Sequence, residues 1–184
     1  VFAFAAAKDL NLAGEIQFRN NNHAEDHALV LGAADDVNFE KGSSIFNEGT
    51  NLGIGSYDSL VLHEIAIDTG GNLAIGTLEE LKIESSNFSV GRYSDRDNIY
   101  LYADQLLSVD SLAFSGGIRE IYMEAITVDL KNTSFPDQSE VMLRSRDGEI
   151  NFNGSSIIGS VNFIQNVQYG NTPVTEDHFQ QKTN

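Results

Sequence analysis

The chain has no cysteine and no tryptophan, only two prolines, and 11 lysines and arginines against 27 aspartates and glutamates. Each shortage excludes something. Without cysteine there are no disulfides, no thiolate metal ligands and no cysteine nucleophile. Such avoidance suits an exported protein, although many cytosolic domains share it. A net charge of −16 argues against nucleic acid, because phosphate binding needs clustered Lys and Arg. It argues equally against an anionic membrane surface, while favouring solubility and attracting cations. No apolar stretch approaches the roughly 20 residues of a membrane-spanning helix. Helical spacing of apolar residues is absent over most of the chain. The nucleophile elbow, the H-E-x-x-H helix, the P-loop and the dinucleotide fingerprint are all missing.

What is there is a repeat. "NLGIGSYDSLVL" at 51–62 is nearly restated 21 residues later as "NLAIGTLEELKI" at 72–83. Alternating apolar pairs open each unit: Phe2/Phe4, Leu29/Leu31, Leu52/Ile54, Leu73/Ile75, Ile99/Leu101, Ile121/Met123 and Val141/Leu143. The starts lie 27, 23, 21, 26, 22 and 20 residues apart. A second pair follows each: Leu10/Leu12, Val37/Phe39, Leu60/Leu62, Leu81/Ile83, Leu107/Val109, Ile126/Val128 and Ile150/Phe152. A third reads Ile16/Phe18, Ile65/Ile67, Phe88/Val90 and Leu112/Phe114, and is less regular near residues 45, 130 and 157. A partial last unit holds Val161/Phe163 and Val167/Tyr169.

Period-two alternation means strand, and Gly, Asn, Asp and Ser fill the gaps as turn residues. Three short strands per unit of roughly 22 residues, in about seven units, is the arithmetic of an all-β, single-stranded, right-handed parallel β-helix. No coil buries its apolar face alone; stacked coils share a continuous core. An antiparallel sandwich would not require the same side-chain type to return at the same point of every unit. The β-helix is expected over 1–173 and a polar tail over 174–184. The opening "VFAFAAAKD" reads better as a first strand than as the end of a signal peptide, and the chain reads as a segment of something longer.

Stacking turns sequence columns into ladders. Asn51, Asn72 and Asn98 each precede a first strand and are expected to staple turns through stacked amides. Gly32, Gly55 and Gly76 follow the same strand, where a corner needing φ > 0 or close backbone approach is expected. The outward position of the first strand reads Ala3, Val30, Gly53, Ala74, Tyr100, Tyr122, Met142, with no charge, while its counterpart in the second strand is conventionally polar. Such a face predicts contact with a protein or carbohydrate partner, with Tyr100, Tyr102, Tyr122 and Met142 as candidate binding residues. The alternative is cover by the tail or by a neighbouring domain.

The corner between first and second strands carries Asp35, Asp58 and Glu79 in register. Stacked carboxylates repel, and such a ladder invites a hard cation such as Ca2+; no other cofactor is expected. "DRDN", Asp95 to Asn98, is a weak calcium-like run without the glycine and distal Glu of an EF-hand. Two inserts, 19–27 and 91–97, leave the same corner about 14 Å apart. The first holds His23, Glu25, Asp26 and His27, whose spacing matches no defined metal site. His63 has no triad partners. An enzyme reading remains as the alternative: a polysaccharide lyase or hydrolase using carboxylates among Asp35, Asp36 and Asp58. Against it, the coils are lean, and this corner lacks basic residues to neutralise an acidic glycan.

The segments "LVLGAADD", "NLGIGSYDSL", "DNIYLYADQL", "REIYMEAITVDLKNTSFPDQSEVMLRSRDG" and "GSVNFIQNVQYG" resemble a β-helical region of large exported bacterial proteins, some with a FecR-type domain upstream. The likeness is more distant to autotransporter passengers and filamentous haemagglutinins, which share the architecture. The resemblance implies export and an extracellular or cell-surface location, and it transfers no catalytic residue. The expected function is a non-catalytic structural or adhesive module.

Overall fold

The computed structural model describes residues 1–19, 27–49, 51–92, 96–136, 139–153, 155–157 and 161–165. Its order is turn by turn. The first turn is β1 (Phe2–Ala6), β2 (Leu10–Leu12) and β3 (Glu15–Phe18). The second is β4 (Ala28–Ala33), β5 (Val37–Phe39) and β6 (Ser44–Asn47). The third is β7 (Asn51–Ser56), β8 (Leu60–His63) and β9 (Ala66–Thr69). The fourth is β10 (Leu73–Thr77), β11 (Glu80–Glu84) and β12 (Asn87–Val90), and the fifth β13 (Asp97–Ala103), β14 (Leu106–Asp110) and β15 (Ala113–Gly116). Then come β16 (Ile118–Lys131), β17 (Ser134–Phe135), β18 (Glu140–Asn153), β19 (Ser156–Ile157) and β20 (Val161–Gln165). Every pairing is parallel, each strand bonding to its equivalent one turn away, so the fold is an all-β parallel solenoid. There is no helix among the described residues.

Register follows the apolar ladders. Leu52 pairs with Leu73 and Leu73 with Ile99, and Ile54, Ile75 and Leu101 do the same two residues on. These side chains, with Leu60, Leu81 and Leu107 from the second wall, are buried in one core. Each contributes about 1.5–3 kcal/mol relative to exposure. The third wall stacks aromatics: Phe114 lies 6.5 Å from Phe88 and 5.5 Å from Phe135, ring to ring.

One corner repeats a rare backbone state. Glu64, Ser85, Ser111 and Asn132 all have φ between 48° and 58°. Each donates its backbone N–H one turn up, to the carbonyls of Glu84, Asp110, Lys131 and Asn153. A single left-handed residue thus turns the chain from second to third strand, and the stacked hydrogen bonds offset its steric cost.

Three expectations need correction. The first concerns the unit at Ile121, whose second pair is Val128/Leu130, in register with Leu107 and Val109, and not Ile126/Val128. The cause is that β16 is one continuous strand where β13 and β14 are separate, and it links the two walls with one residue fewer, Glu124 to Thr127 against Tyr102 to Leu106. That continuous strand joins first and second walls into a single sheet. The second concerns the third wall, where Ile67/Thr69 pairs with Phe88/Val90, and Phe88/Val90 with Phe114/Gly116. Ile65 and Leu112 are buried, but ahead of the strand rather than in it. The third correction concerns Gly32, Gly55 and Gly76. They lie inside β4, β7 and β10, and none has positive φ.

Candidate functional site

The glycine column is the floor of a surface depression. A shallow open trough of about 370 Å³ is lined by Val30, Leu31, Gly32, Gly53, Ile54, Gly55, Ala74, Ile75, Gly76, Tyr100 and Tyr102. The strand geometry explains it. Leu31, Ile54 and Ile75 send their side chains inward to the core, leaving backbone at the floor. The alternate, outward positions on three successive rungs are Val30/Gly32, Gly53/Gly55 and Ala74/Gly76. On the fourth rung they are Tyr100/Tyr102, which close one end.

Nothing in the fold demands these glycines. A Cβ added at Gly32 or at Gly55 would come no closer than 3.6 Å to any atom, and one at Gly76 no closer than 3.8 Å. Strand glycine normally weakens a sheet, and it marks places where another molecule or backbone approaches closely.

Beyond the floor, the register continues into the corner. Two residues past Gly55 and Gly76 stand Tyr57, 63% exposed, and Leu78, 45% exposed. They are exposed apolar side chains in the corner that follows the trough strands. Sequence reasoning missed both, because it read the alternation only as far as the strand ends. The available signal was an apolar residue sitting in a turn, in "GSYDS" and "GTLEE".

The next column is the acidic one. Asp58 donates its backbone N–H to Asp35 O and Glu79 to Asp58 O, so Asp35, Asp58 and Glu79 stack in register as expected. The corner is held from inside by hydroxyls. Thr77 Oγ1 donates to Asp58 O, and Ser56 Oγ donates to Ser59 O over 3.1 Å. No ion pair forms at these three carboxylates among the described residues. Nor do three His, Asp or Glu side chains gather anywhere among the described residues as a set that could hold a metal ion. His23, Glu25, Asp26 and Asp95 lie outside the described residues, as does the tail from 166 onward.

The aromatic wall is fastened from behind. Tyr100 accepts a 2.8 Å hydrogen bond from the Asn98 amide, and its ring lies 6.4 Å from that of Tyr122. Tyr102 donates to Asp104 Oδ1 over 3.2 Å, and the Arg146 guanidinium sits 5.7 Å over its ring. Arg146 also pairs with Asp104 at 2.8 Å and donates to the carbonyls of Ala103 and Asp104. The Arg146 hydrogen bond holds the Asp104 carboxyl below its ordinary range. One position over, Tyr122 donates to Glu124, which also takes Arg144 at 3.3 Å. Burial first, then the Glu124 carboxylate, push the Tyr122 phenol up.

The four expected binding residues therefore divide. Tyr100 and Tyr102 line the trough; Tyr122 and Met142 continue the same outward column but are half-buried behind the wall. The asparagine ladder forms in part. The Asn72 amide donates to Asn51 Oδ1 at 2.8 Å, and Asn72 Oδ1 accepts the Asn98 backbone N–H at 2.9 Å. The Asn98 side chain then leaves the ladder for Tyr100, so the staple and the wall are one hydrogen-bonded chain. His63 is half-exposed and bonds Glu84 at 3.1 Å.

No protein-family model, curated protein or solved structure matches the chain.

Proposed function

We propose that the protein is a non-catalytic, adhesive or structural solenoid module that meets a partner through the outer face of its first strand column. The single observation carrying this reading is the bare floor. Three successive strands place glycine where an added Cβ meets only ordinary contacts, between the exposed side chains of Val30 and Tyr100. A surface kept free of side chains at a cost to sheet stability is a surface for close approach. The rod in this reading has about seven coils, with β16 and β18 each counting as part of one, and it winds right-handed. An exported protein acting outside the cell or at its surface is the setting, in keeping with the resemblance of the repeats.

The test has two halves. A reducing-end assay over a polysaccharide panel should give no turnover; sustained turnover that disappears in Asp58→Asn would replace this reading with a glycan-cleaving one. Retention on protein- or glycan-coated surfaces should be lost when the trough is filled by Gly55→Val. Retention equal to that of the unmodified protein would remove the face from the proposal.

A further inference from the structure

Resting on that reading of the trough, we infer that the partner is a cationic polypeptide segment. It seats aromatic or aliphatic side chains on the glycine floor and lays Lys or Arg along the acidic column. Two properties of the surface select this occupant.

The first is the chemistry of the trough. Its lining is hydrocarbon and backbone, apart from two tyrosines whose hydroxyls are already engaged by Asn98 and Asp104. A sugar brings many hydroxyls, and each one taken from water without a partner is unfavourable. An apolar side chain brings none. The space is sized for one or two large side chains, and the aromatic residues Tyr100 and Tyr102 line it.

The second is charge. In the corner that follows the trough strands, Asp35, Asp58 and Glu79 repeat once per rung, about 4.8 Å apart, with no cation paired to them among the described residues. The three span about 10 Å, within reach of basic side chains on a peptide whose apolar side chains sit in the trough. The same column repels anionic lipid headgroups and acidic glycans, in a chain of net charge −16. The apolar trough supplies affinity and the carboxylates choose the partner's sign.

The test is fluorescence anisotropy with labelled ten-residue peptides: one alternating Lys and Phe, one Glu and Phe, one Lys and Ser. Unlabelled chito- and gluco-oligosaccharides serve as competitors. The protein is used as the full chain, together with Gly55→Val and the triple variant Asp35→Asn, Asp58→Asn, Glu79→Gln, each checked for an intact cooperative melt. The Lys–Phe peptide should bind at least tenfold more tightly than either control peptide. Both variants should weaken it at least tenfold, and raising salt should weaken it too. If the triple variant binds the Lys–Phe peptide unchanged, the cationic-partner inference is wrong. It is equally wrong if the Glu–Phe peptide or a sugar binds as well and is lost in Gly55→Val; the trough then stands as a contact face with another occupant. If no probe responds to Gly55→Val, the inference and the reading beneath it both fall.

Discussion

Filling the trough should stabilise the fold. Gly55 lies mid-strand in β7, flanked across the sheet by Gly32 and Gly76. Its φ is outside the left-handed region, and the nearest atom to an added Cβ is Gly76 O at 3.6 Å, an ordinary contact. Valine there reduces the freedom of the unfolded chain, worth about 0.4–1 kcal/mol for losing glycine alone. It also gains strand preference on a scale spanning about 1 kcal/mol. A net gain of about 1 kcal/mol corresponds to a rise in Tm of about 2–4 °C for a chain of this size. Circular dichroism at 218 nm through a thermal ramp, backed by a urea titration, reads the change. The same variant should lose partner binding, so stability and function should move in opposite directions. A fall of several degrees would refute the reasoning, because it would mean that the fold itself requires glycine at this position.

Leu73→Asp should cost on the order of 5 kcal/mol, since a carboxylate in a fully buried rung has neither water nor a partner; a melt within a few degrees of the unmodified protein would refute the register. Arg146→Met should cost about 1–3 kcal/mol by urea titration, because the carbonyls of Ala103 and Asp104 lose their donor. Asp104→Asn isolates the ionic part. Its partner lowers the Asp104 pKa, so the stabilisation is present above the unfolded aspartate value near 4 and fades as pH falls through the lowered folded value. The stability gap between the unmodified protein and Asp104→Asn should therefore be constant near neutrality and close only below about pH 4; a gap that closes between pH 6 and 8 would be inconsistent with this pairing. Finally, any shift in Tm between millimolar calcium and EDTA should be the same in the unmodified protein and in the triple variant Asp35→Asn, Asp58→Asn, Glu79→Gln, since no three carboxylates converge at that corner among the described residues; a shift lost in the triple variant would show that the corner holds a cation.

Much of the architecture was legible because a solenoid writes its contacts into its period. A side chain at Leu52 meets its equivalents at Leu29 and Leu73, one unit away on either side, so a column of like residues is a contact map. That legibility ends where the unit changes length. Met123 to Val128 takes five residues where Leu101 to Leu107 takes six, so the spacing of the other units fails there, and the apolar alternation Ile126/Val128 placed the second strand two residues early. The third wall was misread for a different reason. Its second inward position alternates Asn47, Thr69 and Val90, and buried polar residues there bond one another instead of matching the apolar pattern: the Asn47 amide donates to Thr69 Oγ1 at 3.0 Å. The site was half legible. The outward tyrosines and the acidic column follow from register alone. The trough does not, because it is made by missing side chains, and a glycine in a strand looks like a glycine in a corner until φ is known.

The place where the corner shortens also bears on the wall. At β16 the step from Glu124 to Thr127 is one residue shorter than that from Tyr102 to Leu106, so Ala103 and Asp104 fall outside the register pairs with the next rung. Arg146, reaching back from β18, supplies donors to both and lies over Tyr102 as it does so. Tyr100 is braced in parallel by Tyr122 and Asn98. Side chains that would otherwise sample several rotamers are thus held before any partner arrives. Ordering a rotamer-rich side chain on binding costs about 0.5–1.5 kcal/mol, and here that ordering is done by folding. The structural repair at the transition and the preorganised wall of the trough are therefore the same contacts. Loosening them through Arg146→Met should weaken binding at the trough even though Arg146 does not line it.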